Sequence, residues 1–159
     1  MPSGKKNAIL NPNVLWPKAK IPYVIAASFT SAQLQVIDLA INEYRNKTCI
    51  RFVPRTSEVN YIQIVKSGQG CWSYLGKICG GWMWRQDLSL DDGCASNLSQ
   101  GTVLHELMHA IGFEHEHQRP DRDKYVSINF NNVEKKNRGP LEKQSTAQVT
   151  TLGLPYDYG

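Results

Sequence analysis

Two stretches of helical periodicity, set among short runs of strand character, predict an α+β domain. In the first, 31–47, Leu34, Ile37, Ile41 and Tyr44 recur at spacings of three and four; the second runs over about 99–111, and Gly112 closes it. Size is the third observation: 159 residues, 41% hydrophobic and 20% charged, suit a single globular core.

Residues 1–20 are polar and punctuated by proline, and read as an extended arm. Ile21 to Phe29 is rich in strand formers, opened by Pro22 and closed by Thr30-Ser31. Ser31 is the expected N-cap of the first helix, which should pack on a sheet. Cys49 to Val53 and Tyr61 to Val65 alternate as strands do, and Ser67-Gly68-Gln69-Gly70 breaks the second. A further strand is expected near Leu88 to Leu90, within a region whose Trp72, Trp82 and Trp84 read as packing residues, with a groove lining as the alternative. Beyond Asn131 the weak patterning predicts loops and short turns.

Composition excludes several classes. Glycine and proline total 20 without a period, mean hydropathy is −0.42, and the longest apolar stretch, Ile21 to Phe29, is too short for a bilayer. The net charge of +4 comes from scattered basic residues with small clusters at Lys5-Lys6 and Lys135-Lys136-Arg138. That pattern is a solvated surface rather than a nucleic-acid stripe, with a basic surface-binding module as a weaker alternative.

Cys49, Cys71, Cys79 and Cys94 lack the paired spacing of a structural zinc site, so disulfides and an oxidising compartment are the better reading. The sequons Asn46-Lys47-Thr48 and Asn97-Leu98-Ser99 agree with it, although the segment Met1 to Lys6 has no apolar core of a secretory signal.

The decisive feature is the histidine distribution. All four, His105, His109, His115 and His117, fall in thirteen residues. On a helix, residues four apart lie about 6 Å along the axis and roughly 40° around it, so His105 and His109 share a face. Leu104, Leu107, Met108 and Ile111 form the stripe that fastens this helix to the core. A third ligand six residues on requires the chain to reverse, and Gly112 sits where a left-handed residue allows it. His115 then completes a three-nitrogen set suited to one Zn²⁺, with a fourth position for water. Glu106, beside His105, is placed to act as general base in the hydrolysis of a peptide bond. A chance match to these five positions is on the order of 10⁻⁵. His117 is assigned a surface or supporting role.

The segment His105-Glu106-Leu107-Met108-His109-Ala110-Ile111-Gly112-Phe113-Glu114-His115, continued by Glu116-His117-Gln118-Arg119-Pro120-Asp121, resembles the astacin family of zinc metallopeptidases in the metzincin clan. Trp16-Pro17, Ile21-Pro22-Tyr23, Cys49-Ile50-Arg51-Phe52 and Gly70-Cys71-Trp72-Ser73-Tyr74 extend the likeness from about Asn7 to the end. The resemblance implies a metzincin-like domain with a twisted mixed sheet and two long helices in its upper subdomain. It implies zinc on His105, His109 and His115, Glu106 as base, a Cys71–Cys94 disulfide, polypeptide substrates and a secreted enzyme. It further implies that 1–6 is a pro-segment remnant and 7–159 the peptidase domain. A trypsin-like protease would cut between Lys6 and Asn7, and the new ammonium would be buried against Glu116. Cys49 matches a family cysteine whose partner follows the last one here, and Cys79 has no counterpart in the simplest family pattern. The final Tyr156-Asp157-Tyr158-Gly159 looks like the lead-in to the family's Met-turn, so the C-terminal subdomain is expected to be incomplete. The alternative function is accordingly a catalytically impaired zinc-binding fragment.

Overall fold

The structure is a computed structural model that describes residues 7–78, 84–96, 100–151 and 155–156. Cys79, Trp82, Ser99 and the second sequon lie outside the described residues. The chain divides into two compact units, Asn13–Gly112 and a second that combines its two ends.

In the first unit, β2 (Lys20–Ile25), β3 (Arg51–Pro54), β4 (Tyr61–Val65), β5 (Cys71–Ser73) and β6 (Arg85–Leu90) form one sheet in the order β3-β2-β4-β6-β5. The first four in that order run parallel, and β5 closes the edge antiparallel to β6, which makes the sheet mixed. Register puts Ile21 beside Phe52 and Ile64 beside Leu88, so one face is largely apolar, interrupted by buried Gln86 beside Ile62. Two helices, α1 (Ser31–Lys47) and α2 (Gln100–Ile111), share its core through Ile37, Ala40 and Ile41 on one and Val103, Leu107 and Ala110 on the other. The predicted fold class holds.

Local details depart from expectation. The N-cap of α1 is Thr30, not Ser31: its hydroxyl accepts from the Gln33 N–H while the Gln33 side chain accepts from the Thr30 N–H. Leu34 stays exposed because the buried face runs through Val36, Ile37, Ala40, Ile41 and Tyr44. Trp72 is half-buried with its indole on Ser67, and Trp84 is 64% exposed, so packing does not account for Trp84. Cys71 and Cys94 form a disulfide that ties β5 to the turn after β6, whereas Cys49 is free and exposed.

The expected extended arm has more structure than its composition suggests. Trp16 is buried, and residues 17–19 make a tight turn in which Lys18 and Ala19 both take the left-handed conformation. In the second unit, β1 (Ala8–Ile9) pairs antiparallel with β7 (Val149–Thr150). From Glu116 to Leu141 this unit runs through short 3₁₀ turns, and beyond Asn131 it has the predicted loops and turns apart from the small strand. Among the described residues no helix is long and apolar enough to cross a membrane.

Candidate metal centre

Helix α2 is held to the core by Val103, Leu107 and Ala110, with Leu104, Met108 and Ile111 partly buried beside them. Its last turn is braced from elsewhere in its own unit. The Tyr44 hydroxyl donates to the Leu104 carbonyl at 2.8 Å, and burial pushes that phenol's pKa up. The Gly76 N–H donates to the His109 carbonyl at 2.8 Å, and the Trp16 indole N–H donates to the Ala110 carbonyl at 2.8 Å. The last four carbonyls of a helix have no i+4 partner within it, so the indole satisfies one at Ala110 and Gly76 adds a donor at His109, while the Tyr44 bond braces the helix earlier, at Leu104.

The helix ends as the sequence predicts. Gly112 has φ +117°, and its N–H reaches the carbonyls of both Met108 and His109. The chain then turns, and ring nitrogens of His105, His109 and His115 all lie within 4.8 Å of one another. The Nε2 atoms of His105 and His109 are 3.0 Å apart. Two nitrogens bound at about 2.0–2.1 Å to a tetrahedral ion would stand roughly 3.3 Å apart, so the pair fits a shared zinc. Three imidazoles are borderline-soft donors that suit zinc better than calcium or magnesium.

Glu106 is only 6% exposed, and burial pushes its carboxyl pKa up, with the charge of nearby His109 acting in the other direction. His117 lies outside the triad; its Nε2 is 2.9 Å from the Pro140 carbonyl oxygen and its ring stacks on His115.

Asn7 is fully buried. Its side-chain amide donates to the His115 carbonyl at 3.1 Å, its own carbonyl accepts from the Glu114 N–H at 2.8 Å, and its buried Oδ1 has no hydrogen-bond partner among the described residues. Glu116 accepts from Arg119 at 2.6 Å. Arg119, fully buried, also forks onto both oxygens of Asp121 at 2.9 and 3.0 Å and onto the Pro155 carbonyl. Its guanidinium holds the Asp121 carboxyl below the usual range. Buried Arg122 donates to the carbonyls of His117 and Leu141.

Sequence reasoning missed Trp16, Tyr44, Gly76, Arg119 and Arg122 as supports of this segment. A buried arginine flanked by Glu116 and Asp121 was the one available signal, because a fully desolvated guanidinium requires carboxylate partners.

Known proteins are similar along nearly the whole chain. Residues 8–159 match the family model described as Astacin, a peptidase family. Zinc metalloproteinase nas-13 of Caenorhabditis elegans is 43% identical over 98% of this chain and 33% of its own length. Blastula protease 10 of Paracentrotus lividus is 38% identical over 98% of the chain and 26% of its own. The chain thus spans about a quarter to a third of the length of these curated relatives. Among solved structures, high choriolytic enzyme 1, a hatching enzyme zinc-protease from Oryzias latipes, matches with a TM-score of 0.76 and 38% identity, over 98% of this chain and 69% of that one. Myroilysin, at 24% identity and a TM-score of 0.64, shares the fold over 92% of this chain and 78% of its own. With three histidines gathered behind a glycine-ended helix and a family match from residue 8 onward, the chain belongs to the astacin family of peptidases.

Proposed function

We propose that this chain carries the catalytic centre of a zinc metalloendopeptidase, with His105, His109 and His115 holding one Zn²⁺ and Glu106 serving as general base. The observation that carries the reading is the gathering of three ring nitrogens within 4.8 Å on a segment that also bears a buried glutamate. Bound there, zinc would supply Lewis-acid activation of a peptide carbonyl and of the attacking water.

The chain's own residues do the rest. His105 and His109 offer their Nε2 lone pairs, held at fixed spacing by a braced helix. Glu106 takes the proton of the attacking water and hands it to the departing amine. In the metal-free site burial favours its protonated form.

Processing and location complete the reading. A trypsin-like protease would cut between Lys6 and Asn7, and the freed ammonium would sit against Glu116. The full burial of Asn7 and its bonds to Glu114 and His115 support that placement, because they anchor the residue beside the third ligand. The Cys71–Cys94 disulfide supports a secreted protein acting on extracellular polypeptides.

The test compares the wild-type chain with Glu106→Gln on a protein substrate, with metal content measured alongside. Cleavage should require zinc and fall about 10²-fold or more in the variant at unchanged zinc stoichiometry. Cleavage at the wild-type rate by Glu106→Gln would remove Glu106 from the mechanism. A chain that binds no zinc would remove the reading altogether.

A further inference from the structure

Within the unit Asn13–Gly112 a cavity of about 390 Å³ opens over Trp16, Pro22 and Val59. Its size falls in the range of small-molecule sites. Its rim carries Lys18, Lys20 and Lys77 against one carboxylate, Glu58. That carboxylate already accepts from the N–H and the hydroxyl of Thr56, at 2.8 and 3.2 Å. Among the described residues neither Lys18 nor Lys20 comes within ion-pair distance of a carboxylate, although the charge of Lys20 is felt at Glu58 and helps to lower its pKa. The cavity therefore joins an apolar lining to a surplus of positive charge.

Two further observations point to a ligand. Lys18 and Ala19 both have left-handed φ, +55° and +54°, a conformation that is strained for non-glycine residues and concentrates at ligand clamps. The turn that holds them brings Lys18 to the rim. One wall of the cavity, Trp16, is also a brace of the metal helix, and a second brace adjoins the lining residue Lys77. Trp16 donates to the Ala110 carbonyl, and Gly76, adjacent to Lys77, donates to the His109 carbonyl.

We propose that this cavity binds an apolar monocarboxylate, and that its occupancy is felt at the last turn of α2 through Trp16 and Gly76. The lining takes the aliphatic or aromatic body and the rim lysines take the carboxylate. A fully hydrated anion such as inorganic phosphate would leave the apolar lining unused, and a neutral apolar molecule would leave the lysines unused.

Titration of the ¹⁵N-labelled chain with octanoate, with octanamide as the neutral control, tests this by NMR. Octanoate should move the Trp16 indole N–H and the Gly76 amide saturably, and octanamide should bind about tenfold more weakly. Lys18→Asn/Lys20→Gln, in which asparagine tolerates the left-handed turn, should weaken octanoate about fivefold, and added salt should weaken it in the wild type. Val59→Asp, at an exposed position on the rim, should weaken it as well. Equal affinity for octanamide and octanoate, unchanged affinity in both variants, or saturable shifts that spare Trp16 and Gly76 would each overturn the proposal. So would the absence of saturation at millimolar octanoate. None of these readouts depends on zinc or on peptide cleavage.

Discussion

The indole N–H of Trp16 donates to the carbonyl of Ala110 at 2.8 Å, across 94 positions of sequence and inside the core. This bond fastens the start of the first unit to the helix that carries His105 and His109. Trp16→Phe keeps most of the ring but leaves a buried carbonyl without its donor, which costs about 1–3 kcal/mol. Thermal unfolding of the metal-free chain should show that loss. A change below about 0.5 kcal/mol would mean that water replaces the indole and that the bond is not structural.

Gly76 should be far less replaceable than Gly68, although both have positive φ. A Cβ at Gly76 would stand 2.6 Å from the Val14 carbonyl oxygen, whereas one at Gly68 meets nothing within 4 Å. Gly68→Ala therefore carries only the conformational cost, about 1 kcal/mol. Gly76→Ala must also displace backbone that donates to the His109 carbonyl, so its cost should exceed that of Gly68→Ala by about 1 kcal/mol or more. Zinc affinity, measured by competition with a chelator, should fall in Gly76→Ala and hold in Gly68→Ala. Equal behaviour of the two variants would refute the role of the close approach.

Much of this site was legible in sequence because its chemistry is local. The spacing of His105 and His109, the stop at Gly112 and the return of His115 are all fixed by helix geometry within eleven residues. The helix over 31–47 and the strand Tyr61–Val65 appear with their expected bounds because their periodicity is long enough to read. The braces were not legible. Trp16 and Gly76 meet α2 only after the sheet has folded, and nothing near either residue in sequence marks a carbonyl acceptor far along the chain. β1 and β7, at two residues each, are too short to show alternation. Thr30 displaced Ser31 as the cap because the choice rests on Gln33 reaching back, which favours the residue three before it.

Glu106 should make the metal-free chain less stable as pH rises. Its folded pKa is raised by burial, so the folded state binds the proton more tightly than the unfolded chain does. That contribution to stability is complete below the unfolded value of about 4.3 and is lost as pH rises through the folded value. Glu106→Gln should accordingly unfold at a higher temperature than wild type at pH 7, with the difference shrinking toward pH 4. A variant less stable than wild type at neutral pH would show that the carboxylate, not its neutral form, is what the folded site favours.

The Cys71–Cys94 disulfide closes a loop with a sequence separation of 23, and in the chain-entropy model its removal costs about 3 kcal/mol. Cys71→Ser/Cys94→Ser should lower stability by about that amount in denaturant unfolding, whereas Cys49→Ser, at an exposed free thiol, should leave it within about 0.5 kcal/mol. A larger effect at Cys49 than at the pair would contradict the observed pairing.

Arg119 sets the strongest test of the segment that follows the third histidine. Its guanidinium is fully buried and carries Glu116, both oxygens of Asp121 and the Pro155 carbonyl on one planar fork. Arg119→Met takes a shared cation from two partly buried carboxylates, a loss of about 2–3 kcal/mol at neutral pH. Arg119→Lys keeps the charge but not the bidentate geometry, and should recover only part of it. The acid limb separates charge from packing. Arg119 holds the Asp121 pKa below the usual carboxylate range, so the stability it contributes is present above the unfolded value of about 3.9 and is lost as pH falls through the folded one. The gap between wild type and Arg119→Met, followed by chemical unfolding, should therefore narrow below about pH 4. A gap that stays constant with pH would assign the arginine's contribution to its packing against Tyr125 and Tyr156 rather than to its carboxylates.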